Sequence, residues 1–127
     1  MTRTLFPTLD EALELHRVLI ERFGGGGNGV RDRGLLQSAL ARPQTGYYAT
    51  LWLQAAALLQ SLAMNHAFVD GNKRVAFALT AVFLRMNGQR LRATADDSEA
   101  FMLDTVIAGR GDIELLAAWL AAHTAPA

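Results

Sequence analysis

One nine-residue segment, His66–Arg74, holds most of the side chains in this sequence that could do chemistry. It begins with a histidine, the side chain best suited to accept a proton near neutral pH. An aspartate follows four residues later, and then come a glycine, an asparagine, a lysine and an arginine. Such a group could supply a general base, a carboxylate for a metal ion and a set of anion ligands.

The two cations of this segment stand where local electrostatics disfavours them. Apolar periodicity predicts that a helix begins near Asn72, which places Lys73 and Arg74 in its first turn. A helix N-terminus is electropositive and opposes each cation there by about 0.3–1 kcal/mol. Its free N–H groups point the same way, so the helix and the cations together favour a phosphate ligand. Gly71 would let the backbone approach that ligand, and Mg²⁺ would bridge it to Asp70.

Each of these residues has a simpler explanation when it is taken alone. His66 could be an ordinary helix-end histidine, Asp70 and Gly71 an ordinary turn, and the two cations a solvated helix face. Their coincidence in one ordered segment favours the functional interpretation. Phe68 is expected to anchor the segment in the core rather than to touch a substrate.

The elements that must position this segment are helical. Periodic apolar residues predict six helices, at about 9–23, 32–41, 51–65, 72–87, 96–108 and 112–123. Thr8–Glu11 is typical of a capping box, Thr50 is expected to cap the third helix, and Asp96 or Ser98 the fifth. The third helix is apolar nearly all round and should be central and buried. An all-α bundle, formed as a single domain over residues 1–127, is therefore predicted.

For several residues outside this segment, the sequence predicts structural rather than chemical roles. Residues 24–27, all glycine, should end the first helix and open a flexible loop, with residues 89–95 as a connector that could include a short extended piece. Histidines 16 and 123 are expected at the surface or in packing, and Arg31–Arg33 as a cap and solvated start of the second helix. The inward-facing residues are expected to include Phe23, Val82 and Leu115, with Tyr47 in the core or in a groove wall.

Composition limits the classes of protein that fit. The chain has 127 residues, of which 51% are hydrophobic and 19% charged, which excludes a disordered chain. A formal net charge of zero gives no reason to expect nucleic acid or an anionic membrane as partner. The absence of cysteine excludes disulfides and favours a reducing compartment. The N-terminus lacks the apolar run of a signal peptide, and the most apolar stretch, residues 51–64, is too short to span a bilayer. A soluble cytoplasmic protein is therefore expected.

His66–Arg74 resembles the signature of the Fic/Doc family, H-x-F-x-[D/E]-[G/A]-N-[G/K]-R, at every invariant place. Gly29–Leu40 resembles the G-I-R-D-x-G-L-L-E-S-A-L stretch of Doc-like proteins, and the helix order fits over nearly the whole chain. The resemblance also gives Arg31–Arg33 a role in a flap, as the alternative to capping and solvating the second helix. The resemblance implies a Fic-like fold, with His66 as the catalytic base and Asp70 as the Mg²⁺ ligand. The residues it implies as ligands of the ATP phosphates are Gly71, Asn72, Lys73 and Arg74.

Two positions favour the Doc branch of this family over the adenylylating Fic branch. Lys73 stands where that branch has glycine, and Phe77 where it has a second arginine. Ala67 also replaces the usual proline. The resemblance then implies a toxin of a type II toxin–antitoxin system that transfers phosphate from ATP to a Ser or Thr hydroxyl of a protein. The alternatives are a protein adenylyltransferase and a catalytically silent binding module of the same fold.

Two protein partners are implied by the same resemblance. The target would be a translation factor such as elongation factor Tu, whose modification would stop translation. A cognate antitoxin would fold as a helix into a groove near the site. The sequence has no self-inhibitory helix with a Ser/Thr-x-x-x-Glu-Gly/Asn motif, so inhibition is expected from another chain.

Overall fold

A computed structural model describes residues 3–25, 29–109 and 112–127, and it is mostly helical. The six α-helices of the described residues confirm the predicted all-α class. They are α1 (Leu9–Phe23), α2 (Arg33–Ala41), α3 (Leu51–Met64), α4 (Asn72–Met86), α5 (Ala95–Phe101) and α6 (Ile113–Ala122). A 3-10 turn (Arg42–Gln44) extends α2, and a π-helical segment (Met102–Ile107) continues α5.

Side-chain caps explain where most of these helices begin. Thr8 and Glu11 form the predicted capping box of α1, and the hydroxyl of Thr50 accepts from the N–H of Leu53 at the start of α3. The predicted caps of α5 are wrong, because Asp96 and Ser98 lie inside that helix. Thr94 has extended backbone and accepts from the N–H of Asp97, so α5 begins at Ala95, two residues before a helix capped by Asp96 would begin.

Helix α3 is the centre of the molecule, as its apolar sequence predicts. It packs against α4 and α6, and α1 packs against α4. Nearly every side chain of α3 from Ala55 to Ala63 is buried. The packing places the end of α3 and the start of α4 side by side, joined by the short connection that contains the predicted site.

Four residues expected to face inward are exposed instead. Tyr47 is 83% exposed, and Phe23, Leu115 and Val82 are 56%, 51% and 38% exposed. Phe23 is the last residue of α1, and Val82 and Leu115 lie on α4 and α6. Tyr47 lies in the link between the 3-10 turn and α3, which no helix covers.

A two-stranded antiparallel sheet closes the C-terminal end. Strand β1 (Gln89–Leu91) pairs with β2 (Thr124–Pro126), with Arg90 opposite Ala125. The first strand matches the short extended piece expected in the connector. Three residues are too few for a periodic signal, so the second strand could not be predicted.

The search for membrane-crossing helices covers the described residues only. Among them, no helix combines the length and the apolar character needed to span a bilayer.

Candidate functional site

A cleft of about 890 Å³ brings the predicted site residues together. One wall is formed by the connection between α3 and α4 and by the first turns of α4. Ser98, Glu99, Met102, Leu103 and Ile107 form the opposite wall, on α5 and the π-helical segment. The volume lies within the range usual for small-ligand pockets. All six predicted residues line the cleft, and they are His66, Asp70, Gly71, Asn72, Lys73 and Arg74.

The start of α4 differs from the start of every other α-helix described. Side chains of Thr or Asp cap the other five, whereas Gly71 caps α4 with a φ of 78° and contributes no side chain. Only glycine adopts this left-handed conformation without strain. Among the described residues, no side chain caps the first-turn N–H groups of α4, which are therefore available to an anion in the cleft.

Two cations flank these N–H groups. Lys73 and Arg74 are both exposed and occupy the first turn of α4, as predicted, and that turn contains no acidic residue. The guanidinium carbon of Arg74 lies 4.6 Å from the centre of the Phe23 ring, a cation–π contact that steadies the arginine beside the cleft. Helix dipole and cations combine to make this end of the cleft electropositive.

Asp70 is half-buried beside the same helix start. Its Oδ1 accepts from the N–H of Gly71 at 2.8 Å. On the other side, Gly25 lies so close that an added Cβ would stand 2.9 Å from Oδ2 of Asp70. Gly25 therefore leaves the carboxylate of Asp70 little room on this side. This contact could not be predicted from the sequence motif.

The donor set around Asp70 suits one kind of metal site. No cluster of three or more His, Cys, Asp or Glu occurs among the described residues, so a cage made wholly of protein ligands is not found there. Mg²⁺ usually binds through one or two carboxylates together with substrate phosphates. One carboxylate beside an electropositive helix start fits a Mg²⁺ ion that binds together with a nucleotide.

His66 has an unusual backbone conformation. Its φ is 53°, and it is the one non-glycine residue of the described part of the chain with a positive φ. Such a conformation is held only where the surroundings fix it. Arg31 does so here, since its Nε donates to the carbonyl of His66 at 2.6 Å and its Nη2 to that of Asn65 at 3.3 Å. Arg31 thereby holds the backbone of His66, an exposed residue that lines the cleft.

Asn72 braces the connection internally. Its Oδ1 accepts from the N–H of Phe68 at 3.0 Å, and its Nδ2 donates to the carbonyl of Phe68 at 3.0 Å. Phe68 itself is buried, which confirms that it anchors the segment. The side-chain amide of Asn72 thus holds the loop, while its position at the start of α4 leaves its backbone N–H facing the anion site.

A short extended stretch runs beside the connection. Val30 forms an antiparallel bridge with Phe68, and the carbonyl of Ala67 accepts from the N–H groups of Arg31 and Asp32 at 2.8 and 3.0 Å. Asp32 caps α2, as expected. Residues 29–32 therefore form one edge of the site, which is more than the solvated helix start that the sequence predicted.

Comparisons with known proteins agree with this geometry. A sequence model of the Fic/DOC family matches residues 6–84, more than half of the chain and the whole of the connection between α3 and α4. The chain belongs to the Fic/DOC family. The α5 wall of the cleft lies beyond the matched residues of this Fic/DOC protein.

Two named proteins are similar over most of their length. Toxin Doc of Mycolicibacterium smegmatis is 50% identical over 109 residues, which cover 81% of this chain and 84% of that protein. Protein kinase doc of Escherichia phage P1 is 32% identical over 110 residues, covering 84% of this chain and 83% of that protein. Within the Fic/DOC family, the chain therefore groups with the Doc toxins.

The contacts of three residues with the site could not be predicted from the sequence. Arg31 falls within the Gly29–Leu40 resemblance, which was a signal that it does more than cap a helix. Gly25 belongs to the predicted glycine loop, of which residues 26–28 lie outside the described part of the chain. His16 falls on the apolar stripe of α1 and is buried, but its partner is 54 residues away in sequence. Only the three-dimensional packing reveals that contact.

Proposed function

We propose that this protein is a Doc-type toxin that transfers the γ-phosphate of ATP, with Mg²⁺, to a Ser or Thr hydroxyl of a target protein. The main observation behind the proposal is the start of α4, where a bound anion would accept hydrogen bonds from the backbone N–H groups. Its N–H groups have no side-chain cap among the described residues, and Lys73 and Arg74 stand beside them. A triphosphate supplies the negative charge that this arrangement lacks.

The cleft supports a nucleotide as the source of that charge. The electropositive end is formed by the start of α4, and the far wall contributes the apolar side chains of Met102, Leu103 and Ile107 beside Ser98 and Glu99. A polar end and an apolar wall match a triphosphate joined to a base. When bound, Mg²⁺ would neutralise charge on the phosphates beside Asp70 and act as a Lewis acid there.

His66 would act as the general base. Its imidazole takes the proton from the attacking hydroxyl as the new oxygen–phosphorus bond forms and the bond to the β-phosphate oxygen breaks. Lys73, Arg74 and the first-turn N–H groups of α4 hold the phosphates in place and stabilise the charge that develops on them. Positioning and electrostatics supply most of the acceleration in such a reaction.

Two residues favour phosphoryl over adenylyl transfer. Phe77 lies one helical turn after Lys73 and lines the cleft where the adenylylating branch has an arginine. Among the described residues that line the cleft, the lysine and arginine side chains are those of Lys73 and Arg74. A site without the second arginine has less to hold a departing pyrophosphate. Adenylyl transfer is the second candidate, and a silent binding module is the third.

The biological setting is proposed from the relatives. One relative is named a toxin, and the relative from phage P1 is named a protein kinase. From the resemblance to the Doc branch, we propose that the protein acts in the cytoplasm on a translation factor such as elongation factor Tu. A cognate antitoxin would then restrain it.

Labelled ATP tests the proposal. The protein is incubated with a cell lysate, Mg²⁺ and ATP labelled at either the α- or the γ-phosphate, in the absence of antitoxin. Protein-bound γ label alone is expected. Bound α label would show adenylyl transfer instead, and the absence of both would support the silent module. His66→Ala should remove the transfer while its circular dichroism stays that of the wild type.

A further inference from the structure

A buried histidine lies directly beneath the site. His16, in the middle of α1, is 2% exposed, and in the described residues it is the only buried side chain that can carry a charge. Burying a polar group is unfavourable unless it is hydrogen-bonded, and an aliphatic residue would fill the same space without that requirement. The identity of this side chain therefore calls for an explanation in its contacts.

Those contacts lead to the segment that lines the cleft. Nε2 of His16 lies 2.8 Å from the backbone carbonyl oxygen of Asp70. Because a carbonyl only accepts, Nε2 must carry the proton and donate. The imidazole also stacks on the ring of Phe68, with centroids 3.9 Å apart and planes 11° from parallel. A Cβ added to Gly71 would stand 3.7 Å from the same Nε2.

One imidazole thus supports both sides of Asp70. Phe68 is fixed through the ring face, and the peptide group that follows Asp70 is fixed through the hydrogen bond. The connection has no regular secondary structure at this point, so the Asp70 carbonyl depends on a partner outside a helix or sheet. Rotation of that peptide group would turn the backbone of Asp70 and move its carboxylate in the cleft.

We propose that His16 is a positioning residue, which holds the Asp70 backbone so that the carboxylate faces the phosphate end of the cleft. The inference rests on the proposed phosphotransfer, but it also makes a claim about the protein without ligand. His16 touches neither substrate nor metal, and its effect passes through Asp70. Outer contacts of this kind typically change metal affinity or activity by about 10- to 100-fold when they are removed.

Two substitutions separate the ring from the donor. His16→Phe keeps an aromatic ring against Phe68 and loses the donor. His16→Gln keeps a donor at about the same reach and loses the ring. A matched control is His123→Phe, because His123 has the same kind of contacts away from the cleft: Nδ1 lies 2.7 Å from the carbonyl oxygen of Trp119, and the ring stacks on Trp119.

The activity readout is the Mg²⁺ dependence of γ-phosphate transfer. His16→Phe is expected to raise the Mg²⁺ concentration for half-maximal rate and to lower kcat by about 10- to 100-fold. His16→Gln should recover most of that loss, and His123→Phe should keep the wild-type Mg²⁺ dependence. An unchanged Mg²⁺ dependence and kcat in a folded His16→Phe would overturn the proposal, as would an equal shift in His123→Phe.

The second readout needs neither ligand nor activity. In NMR spectra of the free wild-type protein, the Nε2 proton of His16 should exchange slowly, and the amide of Gly71 should be protected because it donates to Asp70. His16→Phe should remove the Gly71 protection, while His123→Phe keeps it. A wild-type His16 with the proton on Nδ1 and none on Nε2 would overturn the proposal, even if the variants fail to fold. If the wild type shows these NMR signals but transfers no phosphate, the proposed function is overturned and the positioning role of His16 is not.

Discussion

Reversing the charge of Lys73 should make the free protein more stable. Lys73 is exposed in the first turn of α4, where the helix dipole opposes a cation. Lys73→Glu removes that repulsion and adds an attraction of similar size, and the two effects together amount to about 0.6–2 kcal/mol at low ionic strength. For a chain of this length, the melting temperature should rise by about 2–8 °C. Arg74 is less suitable for this test, because its contact with Phe23 would be lost as well.

The same helix provides the matched control. Arg85 lies in the last turn of α4, is exposed, and is favoured by the dipole. Arg85→Glu should therefore lower the free energy of unfolding by about as much as Lys73→Glu raises it. Both differences should shrink as salt is added, since the Debye length falls to about 3 Å at 1 M.

Thermal denaturation with and without MgATP measures both the stability of the free protein and the stabilisation by bound nucleotide. MgATP should raise the melting temperature of the wild type and of Arg85→Glu by mass action. Lys73→Glu should show little or no rise in melting temperature, because the lysine that binds the ATP phosphates has been replaced by a carboxylate. A Lys73→Glu protein that is less stable than the wild type without nucleotide would refute the electrostatic reasoning. A full MgATP-induced rise in that variant would show that Lys73 does not bind phosphate.

Three further substitutions test the residues that hold the site. Asn72→Ala removes two hydrogen bonds that brace the connection, and should destabilise the free protein by about 1–3 kcal/mol in urea unfolding; unchanged stability would leave Asn72 as a ligand only. Arg31→Ala frees the carbonyl of His66 and should lower kcat more than it raises KM for ATP; a rise in KM alone would contradict this. Gly25→Ala forces the Asp70 carboxylate to shift and should raise the Mg²⁺ requirement for transfer, measured by Mg²⁺ titration; a wild-type Mg²⁺ dependence would contradict this.

The controls for these three variants come from the same elements. Arg33→Ala lies two residues from Arg31, is exposed, and should leave kcat unchanged. Gly24→Ala replaces a neighbour of Gly25 whose added Cβ would contact nothing within 4 Å. It has a φ of 77° and should reduce stability without changing the Mg²⁺ requirement.

The helices and the location of the site follow from the sequence for clear physical reasons. Apolar periodicity and capping residues are local signals, and they predict the six helices and the central place of α3. The two cations at the start of α4 are also a local signal, because their position in the first turn is enough to infer that the helix dipole repels them. His66, Asp70 and the first turn of α4 lie within nine residues, so their meeting in one cleft needs no long-range information.

What could not be predicted depends on contacts between distant residues. Arg31 meets His66 across 35 positions, and His16 meets Asp70 across 54. The positive φ of His66 has no sequence signal of its own, because the surrounding contacts hold it in place. The start of α5 was misplaced because threonine and aspartate are both good caps, and local sequence does not rank Thr94 above Asp96.

The most direct test of the central claim is the mass of a modified target. Purified elongation factor Tu is incubated with the protein and MgATP, and its intact mass and the modified residue are determined. A gain of one phosphoryl group on a Ser or Thr is predicted, which His66→Ala abolishes. A gain of one adenylyl group, or phosphorylation that persists in His66→Ala, would contradict the account.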